Sequence, residues 1–132
     1  MGQEIDVSVK QLVEAAKQVI EEITVEEALT LAGDDSVVIV DIRDVRELKR
    51  DGKIPGSFHC PRGMLEFWID PASPYHKEIF AEDKKFIFHC ASGWRSALAA
   101  EVAQRMGLKP VVHIDGGFSG WKKAGGPVEM PE

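Results

Sequence analysis

The sequence predicts an α/β fold in which a parallel sheet carries helices on both faces. Three short apolar runs rich in β-branched and aromatic residues, at 37–40, 86–88 and 111–114, are typical of strands buried on both sides. A helix-forming stretch at 96–106 separates the last two runs. Strand, helix and strand at this spacing predict a right-handed βαβ unit, whose strands are parallel. Active sites in such folds lie beyond the carboxyl ends of the strands.

Two helices are predicted ahead of the first apolar run. Ser8 and Gln11 fit a capping box, and apolar residues follow at helical spacing over 8–21. Thr24 and Glu27 repeat the capping signal before a second, shorter helix. The chain therefore starts with helices before it enters the sheet.

Length and composition favour a single folded domain. The chain has 132 residues, of which 44% are hydrophobic and 29% charged, values typical of a globular protein with its own core. We interpret residues 1–22 as an N-terminal helical extension packed on a domain formed by residues 23–132. Prolines and weak periodicity predict loops with brief helices over 62–83.

Charge and hydropathy exclude several classes of partner. The formal net charge is -6, so a nucleic-acid backbone or an anionic membrane surface would repel the protein as a whole. Residues 1–6 contain neither a basic leader nor an apolar core segment, and no apolar run reaches membrane-spanning length. We expect a cytoplasmic protein with no nucleic-acid or membrane partner.

The loop between the second apolar run and the following helix places a cysteine at a helix N-terminus. Unpaired amides and the helix dipole give that end a partial positive charge, which stabilises a thiolate. Small residues let successive amides converge on the sulfur, and the glycine can adopt the positive φ that such a turn needs. The predicted active-site loop consists of Cys90, Ala91, Ser92, Gly93, Trp94 and Arg95, followed by Ser96.

Cys90 is therefore predicted to be a nucleophile at the entrance of a cradle of backbone amides, open to solvent. The guanidinium of Arg95 adds a full positive charge nearby. The alternative is a structural, half-buried cysteine, the usual fate of a free thiol at the end of a strand. Cys60 is the only other cysteine, and we interpret it as a small buried residue rather than a resolving thiol.

Several motifs together resemble the rhodanese family, whose active loop has the form Cys-x-x-Gly-x-Arg followed by Ser and a helix. The resemblance extends over about 24–129. The matching segments are Asp41-Ile42-Arg43 with Glu47, Ile54-Pro55-Gly56-Ser57, Pro61-Arg62-Gly63, the 90–95 loop, Asp115-Gly116-Gly117-Phe118 and Trp121. The resemblance implies a three-layer fold with a five-stranded parallel sheet, and a ping-pong cycle through a persulfide on Cys90.

The resemblance also implies the reactants. Sulfane sulfur would pass from a donor, thiosulfate or a persulfide, to a thiophilic acceptor, cyanide or a thiol, without a cofactor. A protein sulfur donor or a thioredoxin-like acceptor is feasible. Many family members that use thiosulfate carry a cation next to the cysteine, whereas Ala91 and Ser92 are neutral. The four histidines lack the spacing of metal ligands, so we predict no metal site.

Two other functions remain open from the sequence. Related dual-specificity phosphatases also use a cysteine, an amide cradle and an arginine, but with five residues between cysteine and arginine. Here four residues separate Cys90 from Arg95, a tighter ring that suits one sulfur atom better than a phosphoryl group. A phosphatase or arsenate reductase is thus disfavoured. The third possibility is a catalytically silent module that binds sulfur or docks a protein.

Asp41, Arg43 and Glu47 follow the first apolar run, on the side where Cys90 should emerge. They could support the loop by holding Arg95 through a carboxylate–guanidinium pair. For Glu47 a local capping box with Asp44 explains the pattern equally well.

The segment that begins with Pro61-Arg62-Gly63 is a candidate pocket wall. Its members could contact substrate or support the loop, but half-buried packing of a short helix is equally plausible. The candidates are Arg62, Met64 and Trp68. His89 and His113, inside the apolar runs, are interpreted as core residues with satisfied hydrogen bonds.

Overall fold

The computed structural model describes residues 2–131. Within this range the chain alternates between helices and strands, with two short 3-10 turns at Arg62–Met64 and Glu78–Ala81. The elements in chain order are α1 (Val9–Val19), β1 (Glu21–Ile23), α2 (Val25–Leu31), β2 (Val37–Asp41), α3 (Val45–Asp51), β3 (Phe58–His59), α4 (Leu65–Ile69), β4 (Lys85–His89), α5 (Trp94–Arg105), β5 (Val111–Ile114) and α6 (Gly117–Lys123).

The five strands form one sheet in the order β1-β5-β4-β2-β3, and every neighbouring pair is parallel. The register places Val40 opposite Phe88, and Phe88 opposite His113. The carboxyl ends of β2, β4 and β5 therefore meet at the same edge of the sheet. The predicted five-stranded parallel α/β fold is confirmed, and its reactive edge is the one where β4 ends just before Cys90.

Helices cover both faces of the sheet because alternate side chains of each strand point to opposite sides. On one face, strand residues such as Val40 and Phe88 pack against α4 and α5. On the other face, Ile39 and Ile87 pack with residues of α2 and α6, including the fully buried Trp121. The core is thus divided into two apolar layers with the sheet between them.

The N-terminal helix α1 starts with the predicted capping box at Ser8 but ends at Val19. The chain then forms β1, an edge strand that the sequence pattern did not predict. Helix α1 packs on α5 through a small apolar cluster of Val13, Ala16 and Ala97. Because β1 includes Glu21–Ile23, the sheet takes residues from both sides of the predicted boundary at 22/23, and the division into extension and domain remains a prediction.

The segment over 62–83 consists of α4, the two 3-10 turns and connecting loops, in agreement with its prolines and weak periodicity. Across residues 2–131 no helix combines the length and the apolar character that crossing a membrane requires.

Candidate active site

Two backbone amides point at the sulfur of Cys90. The N–H groups of Gly93 and Ser96 donate to Sγ at 3.1 and 3.4 Å. Gly93 has φ +122°, a conformation that side chains disfavour, and α5 begins directly after it. The helix therefore starts two residues earlier than the predicted 96–106, and its first turn lies inside the loop.

The expectation that Cys90 would be open to solvent is wrong, since only 1% of its surface is exposed. Its side chain belongs to the apolar layer that also contains Cys60 and Phe88. Three residues of the loop are exposed, Ser92, Trp94 and Arg95, and 47% of the Trp94 surface is in contact with solvent. A reactant can therefore reach Cys90 only if residues around the sulfur move.

The carbonyl groups of Cys90 and Ala91 are bound by α6. The amide of Phe118 donates to the carbonyl of Cys90 at 2.8 Å, and that of Ser119 donates to Ala91 at 3.0 Å. Gly117 makes this approach possible, because a Cβ at this position would lie 2.5 Å from the Cys90 carbonyl oxygen. The glycines before Phe118 thus fix the orientation of the peptide groups around the cysteine.

Arg95 is held by Glu47 from α3. Its Nη1 and Nη2 donate to Oε1 and Oε2 of Glu47 at 2.7 and 3.0 Å. Glu47 Oε1 also accepts the backbone N–H of Asp44 at 3.1 Å, so one carboxylate both caps α3 and orients the arginine. The hydrogen bonds from Arg95 hold the pKa of Glu47 below its usual value.

Asp41 and Arg43 form a buried pair beneath the loop and bond each other. Arg43 Nε and Nη2 donate to the Asp41 carboxylate at 3.0 and 2.7 Å. Arg43 also donates to the carbonyl of Gly52 at 2.9 Å, and its guanidinium carbon lies 4.2 Å from the centre of the Phe118 ring. Burial raises the pKa of Asp41, but the bonds from Arg43 outweigh it and leave the pKa lowered. The Asp41–Arg43 pair therefore contacts the start of α6, and Arg95 is bound by Glu47 instead.

Arg62, Met64 and Trp68 lie after β3, and Arg62 and Trp68 contact residues nearby in the sequence. Arg62 pairs with Glu66 at 2.8 Å. Trp68 packs with its ring centre 5.9 Å from that of Phe58, on the edge of the apolar layer. Their proposed roles in loop support or substrate binding remain predictions.

A cleft of about 450 Å³ borders the loop at Ala91, on the side of α6. It adds two lysines to the surroundings of the site, which sequence reasoning did not single out. The sequence feature that could have indicated them is the pair of adjacent lysines on the helix after β5, since that helix begins at the reactive edge of the sheet. The cleft is lined by Arg43, Asp51, Ala91, Phe118, Ser119, Lys122 and Lys123.

A further set of polar side chains reaches the sulfur from behind. Cys90 Sγ lies 3.6 Å from Ser96 Oγ, which lies 2.8 Å from His113 Nδ1. His113 Nε2 in turn lies 2.7 Å from Glu22 Oε2. His113 is a core histidine with satisfied hydrogen bonds, as predicted, but its connection to Cys90 was not evident from the sequence. The one hint was a histidine in the middle of a buried apolar strand, which needs polar partners.

His89 and Cys60 lie beside the site without joining this set. Burial lowers the pKa of His89, so its ring is neutral. Its Nε2 is unpartnered and lies 3.7 Å from Asp41 Oδ2, too far for a hydrogen bond, so the interpretation of His89 as a core residue with satisfied hydrogen bonds is wrong. Burial raises the pKa of Cys60 to about 12, which makes it an inert thiol at neutral pH. Over residues 2–131 no three His, Cys, Asp or Glu side chains are grouped so that they could hold a metal ion.

The fold and the loop define a class of protein: a three-layer parallel α/β domain that presents a cysteine to backbone amides between a strand and a helix. A family model described as "Rhodanese-like domain" matches residues 24–124, and the chain belongs to this family. The resemblance inferred from the loop motifs is confirmed.

Individual relatives carry names of two kinds. A solved structure from Rhodopseudomonas palustris, described as a protein of unknown function and possible tyrosine phosphatase, is 62% identical, with a TM-score of 0.95 over 98% of this chain and 99% of that one. A sulfurtransferase of Allochromatium vinosum is 28% identical over 102 residues, 77% of this chain and 87% of the relative. Dual specificity phosphatase Cdc25 of Arabidopsis thaliana is 31% identical over 115 residues, 80% and 75% of the respective chains. The family model and the sulfurtransferase relatives support sulfur transfer as the family role.

Proposed function

We propose that this protein is a sulfurtransferase that carries sulfane sulfur as a persulfide on Cys90. The observation that carries the proposal is the convergence of the Gly93 and Ser96 amides on Sγ in a loop with four residues between cysteine and arginine. Amide donors at a helix N-terminus stabilise an anionic sulfur. They favour the thiolate before the reaction and the terminal sulfur of a persulfide after it.

The proposed cycle has two displacement steps. In the first, the Cys90 thiolate attacks the outer sulfur of the donor, an S–S bond forms to Sγ, and the donor's own bond to that sulfur breaks. The leaving group keeps the electron pair, as sulfite from thiosulfate or as a thiolate from a persulfide. In the second, a thiolate or cyanide attacks the outer sulfur, and the Sγ–S electron pair returns to Cys90.

The burial of Cys90 favours small reactants or a persulfide tip presented by a protein. The loop has three exposed residues, Ser92, Trp94 and Arg95, beside the buried sulfur. Lys122 and Lys123 line the cleft beside Ala91 and offer an anionic donor an approach from α6. In this proposal the physiological donor and acceptor are small molecules or proteins. The protein acts in the cytoplasm.

A phosphatase is the second candidate, favoured by the descriptions of two relatives. A cysteine phosphatase needs a carboxylic acid that keeps its proton near neutral pH to protonate the leaving oxygen. Glu47 is bound by Arg95, and Glu66 is bound by Arg62. Burial raises the pKa of Glu66, but Arg62 more than reverses it, and the pKa of both glutamates is lowered. Neither carboxyl suits the role, so sulfur transfer is the better fit.

Intact-mass measurement tests the proposal. The protein is incubated with thiosulfate or with cysteine persulfide, and then with a thiol or cyanide. We expect a mass increase of one sulfur atom that the acceptor removes, loss of this increase in Cys90→Ser, and its retention in Cys60→Ser, which removes the inert thiol. Phosphate release from an aryl phosphate without sulfur loading would establish the phosphatase instead. If the protein shows neither sulfur loading nor phosphate release, it is a module that binds sulfur or docks a protein.

A further inference from the structure

A chain of side chains leads from the buried sulfur to the protein surface. Its links are Cys90 Sγ to Ser96 Oγ at 3.6 Å, Ser96 Oγ to His113 Nδ1 at 2.8 Å and His113 Nε2 to Glu22 Oε2 at 2.7 Å. Ser96 and His113 have no exposed surface, whereas a third of the Glu22 side chain is exposed. The chain joins the start of α5, the centre of β5 and the edge strand β1.

The chemistry of the partners fixes the direction of each hydrogen bond when Cys90 is a thiol. The Glu22 carboxylate only accepts, so His113 Nε2 carries a proton. Burial lowers the pKa of His113 and keeps the ring neutral, which leaves Nδ1 as an acceptor. The Ser96 hydroxyl donates to Nδ1 at 2.8 Å, which is nearer than its other acceptor, the Gly93 carbonyl at 3.3 Å. The Ser96 oxygen then accepts from the Cys90 thiol. Each side-chain donor in this series thus points away from the sulfur and towards Glu22.

We propose that Ser96, His113 and Glu22 form a proton relay that takes up the Cys90 proton when the thiolate forms. The S–H bond breaks, and its proton binds Ser96 Oγ. The original hydroxyl proton of Ser96 moves to His113 Nδ1. The products are a thiolate, a hydroxyl that donates to it, and an imidazolium that donates to Ser96 and to Glu22. No proton leaves the protein, and the net charge is unchanged.

The relay deepens the proposed sulfur transfer, on which its catalytic importance rests. It would give the thiolate a third donor, the Ser96 hydroxyl, beside the amides of Gly93 and Ser96. It would also keep a positive charge behind the sulfur during attack on the donor and during departure from the persulfide. Ser96, His113 and Glu22 act on Cys90 without touching the donor, and are therefore positioning residues.

Charged groups from three elements face His113. Glu22 on β1 and Asp115 after β5 favour the imidazolium, and Lys17 on α1 opposes it. Lys17 Nζ also lies 3.5 Å from Glu22 Oε2 and helps to hold that carboxylate in place. Glu22 is in direct contact with the His113 ring and contributes most to stabilising the imidazolium.

Glu22 provides a test in which the relay and simple charge repulsion predict opposite signs. By repulsion alone, removing a carboxylate near the site makes the Cys90 thiolate easier to form. In the relay, the same removal takes away the partner of the imidazolium and makes the thiolate harder to form. Glu22→Gln keeps an oxygen acceptor for Nε2–H and is at an exposed position, so the fold should tolerate it.

The first experiment measures the rate of Cys90 alkylation by iodoacetamide as a function of pH, with the adduct located by peptide mass spectrometry. Rates are normalised to their high-pH plateau so that access to the buried sulfur cancels. We expect Glu22→Gln to move the midpoint to higher pH and to slow alkylation at pH 7 by about tenfold. The matched control Glu21→Gln removes the same charge from the neighbouring exposed position and should leave the profile unchanged. An unchanged or lowered midpoint in Glu22→Gln would overturn the relay.

The second experiment observes the His113 ring by ¹⁵N NMR with Cys90 as the thiolate and after its alkylation. We expect an imidazolium beside the thiolate and a neutral ring beside the alkylated cysteine, with this response lost in Ser96→Ala. A ring that is neutral in both states would contradict the relay. Neither experiment uses a sulfur donor. If the alkylation and NMR experiments give the expected results but sulfur loading fails, the proposed function is refuted and the relay stands. If sulfur loading succeeds but these two experiments do not give the expected results, the relay is refuted and the proposed function stands.

Discussion

Gly117 contributes to the sulfur site through the absence of a side chain. It adopts φ +55°, and a Cβ there would lie 2.5 Å from the Cys90 carbonyl oxygen and 2.7 Å from that of Ala91. Those carbonyls accept the amides of Phe118 and Ser119, which ties the first two residues of the loop to the start of α6. The orientation of the cradle therefore depends on close contact between two segments that are distant in sequence.

Gly117→Ala should destabilise the protein and slow sulfur transfer together. We expect a loss of about 3 kcal/mol in the free energy of unfolding, from left-handed strain and overpacking combined. Gly125→Ala is the matched control, since Gly125 has φ +83° and nothing within 4 Å of its Cβ position. The control should lose about 1 kcal/mol, from the strain alone, and keep full transfer activity. Urea unfolding and transfer assays measure both effects. Equal losses in the two variants would show that the contact with the loop is unimportant.

Arg95 differs from the other arginine–carboxylate pairs near α3 in that it joins the loop to the helix. Arg95→Lys loses the bidentate bond to Glu47, and we expect transfer to slow by about tenfold, the cost of one charge-assisted hydrogen bond. Because the Arg95 side chain is 43% exposed, the free energy of unfolding should change by less than about 1 kcal/mol. Arg46→Lys, which breaks the comparable but exposed pair with Asp44, should leave transfer unchanged. Similar transfer rates in Arg95→Lys and the wild type would contradict this role.

Among the helices and strands, those predicted correctly from the sequence are buried on both faces of the sheet or depend on residues close together in the chain. The runs that became β2, β4 and β5 were predictable because strands buried on both faces are continuously apolar. The edge strand β1 was not, because two of its three residues are exposed glutamates and only its pairing with β5 defines it. The capping boxes of α1 and α2 depend on residues three apart and were read correctly.

The same distinction separates the predicted from the unpredicted parts of the site. The Cys90 loop is a contiguous motif, so its residues and their order were evident from the chain. The contact between His113 and Glu22 joins positions 91 residues apart and exists only after β1 pairs with β5. The burial of Cys90 was missed for a related reason: the position of a loop relative to the core depends on the helices packed around it.

Helix α1 is predicted to stabilise the helix that carries Ser96. Ala16 is fully buried and packs with Ala97 of α5, whereas its neighbour Ala15 is exposed. Ala16→Leu should therefore lower the free energy of unfolding by about 1–3 kcal/mol through overpacking and speed hydrogen exchange in α5. Ala15→Leu makes the same chemical change with the same helix propensity and should be neutral. Urea unfolding and amide exchange compare them. Equal stability of the two variants would mean that α1 does not pack on the domain in solution.

At the scale of the whole molecule, the site draws on both layers of the core. The amides that face the sulfur belong to the loop and first turn of α5, on one face of the sheet. The amides that hold the loop's carbonyls belong to α6, which packs on the other face. The carboxyl edge of the sheet is where the two layers meet, and the loop after β4 is attached to both. Global stability and the geometry of the cradle are therefore coupled.

His89 makes this coupling sensitive to pH. Burial lowers its pKa in the folded protein, while an unfolded histidine titrates near 6.5, so the unfolded state binds more protons below that pH. The stability gained from a neutral His89 is complete above about pH 6.5 and declines as the pH falls through and below it. Between pH 8 and pH 5.5 we expect the free energy of unfolding to fall by up to about 1.4 kcal/mol from this residue. His89→Asn, whose amide can still donate to the Cys90 carbonyl, should be less stable overall but show a smaller decline. Urea unfolding across this range measures the slope, and an identical slope in the variant would assign the pH sensitivity to other groups.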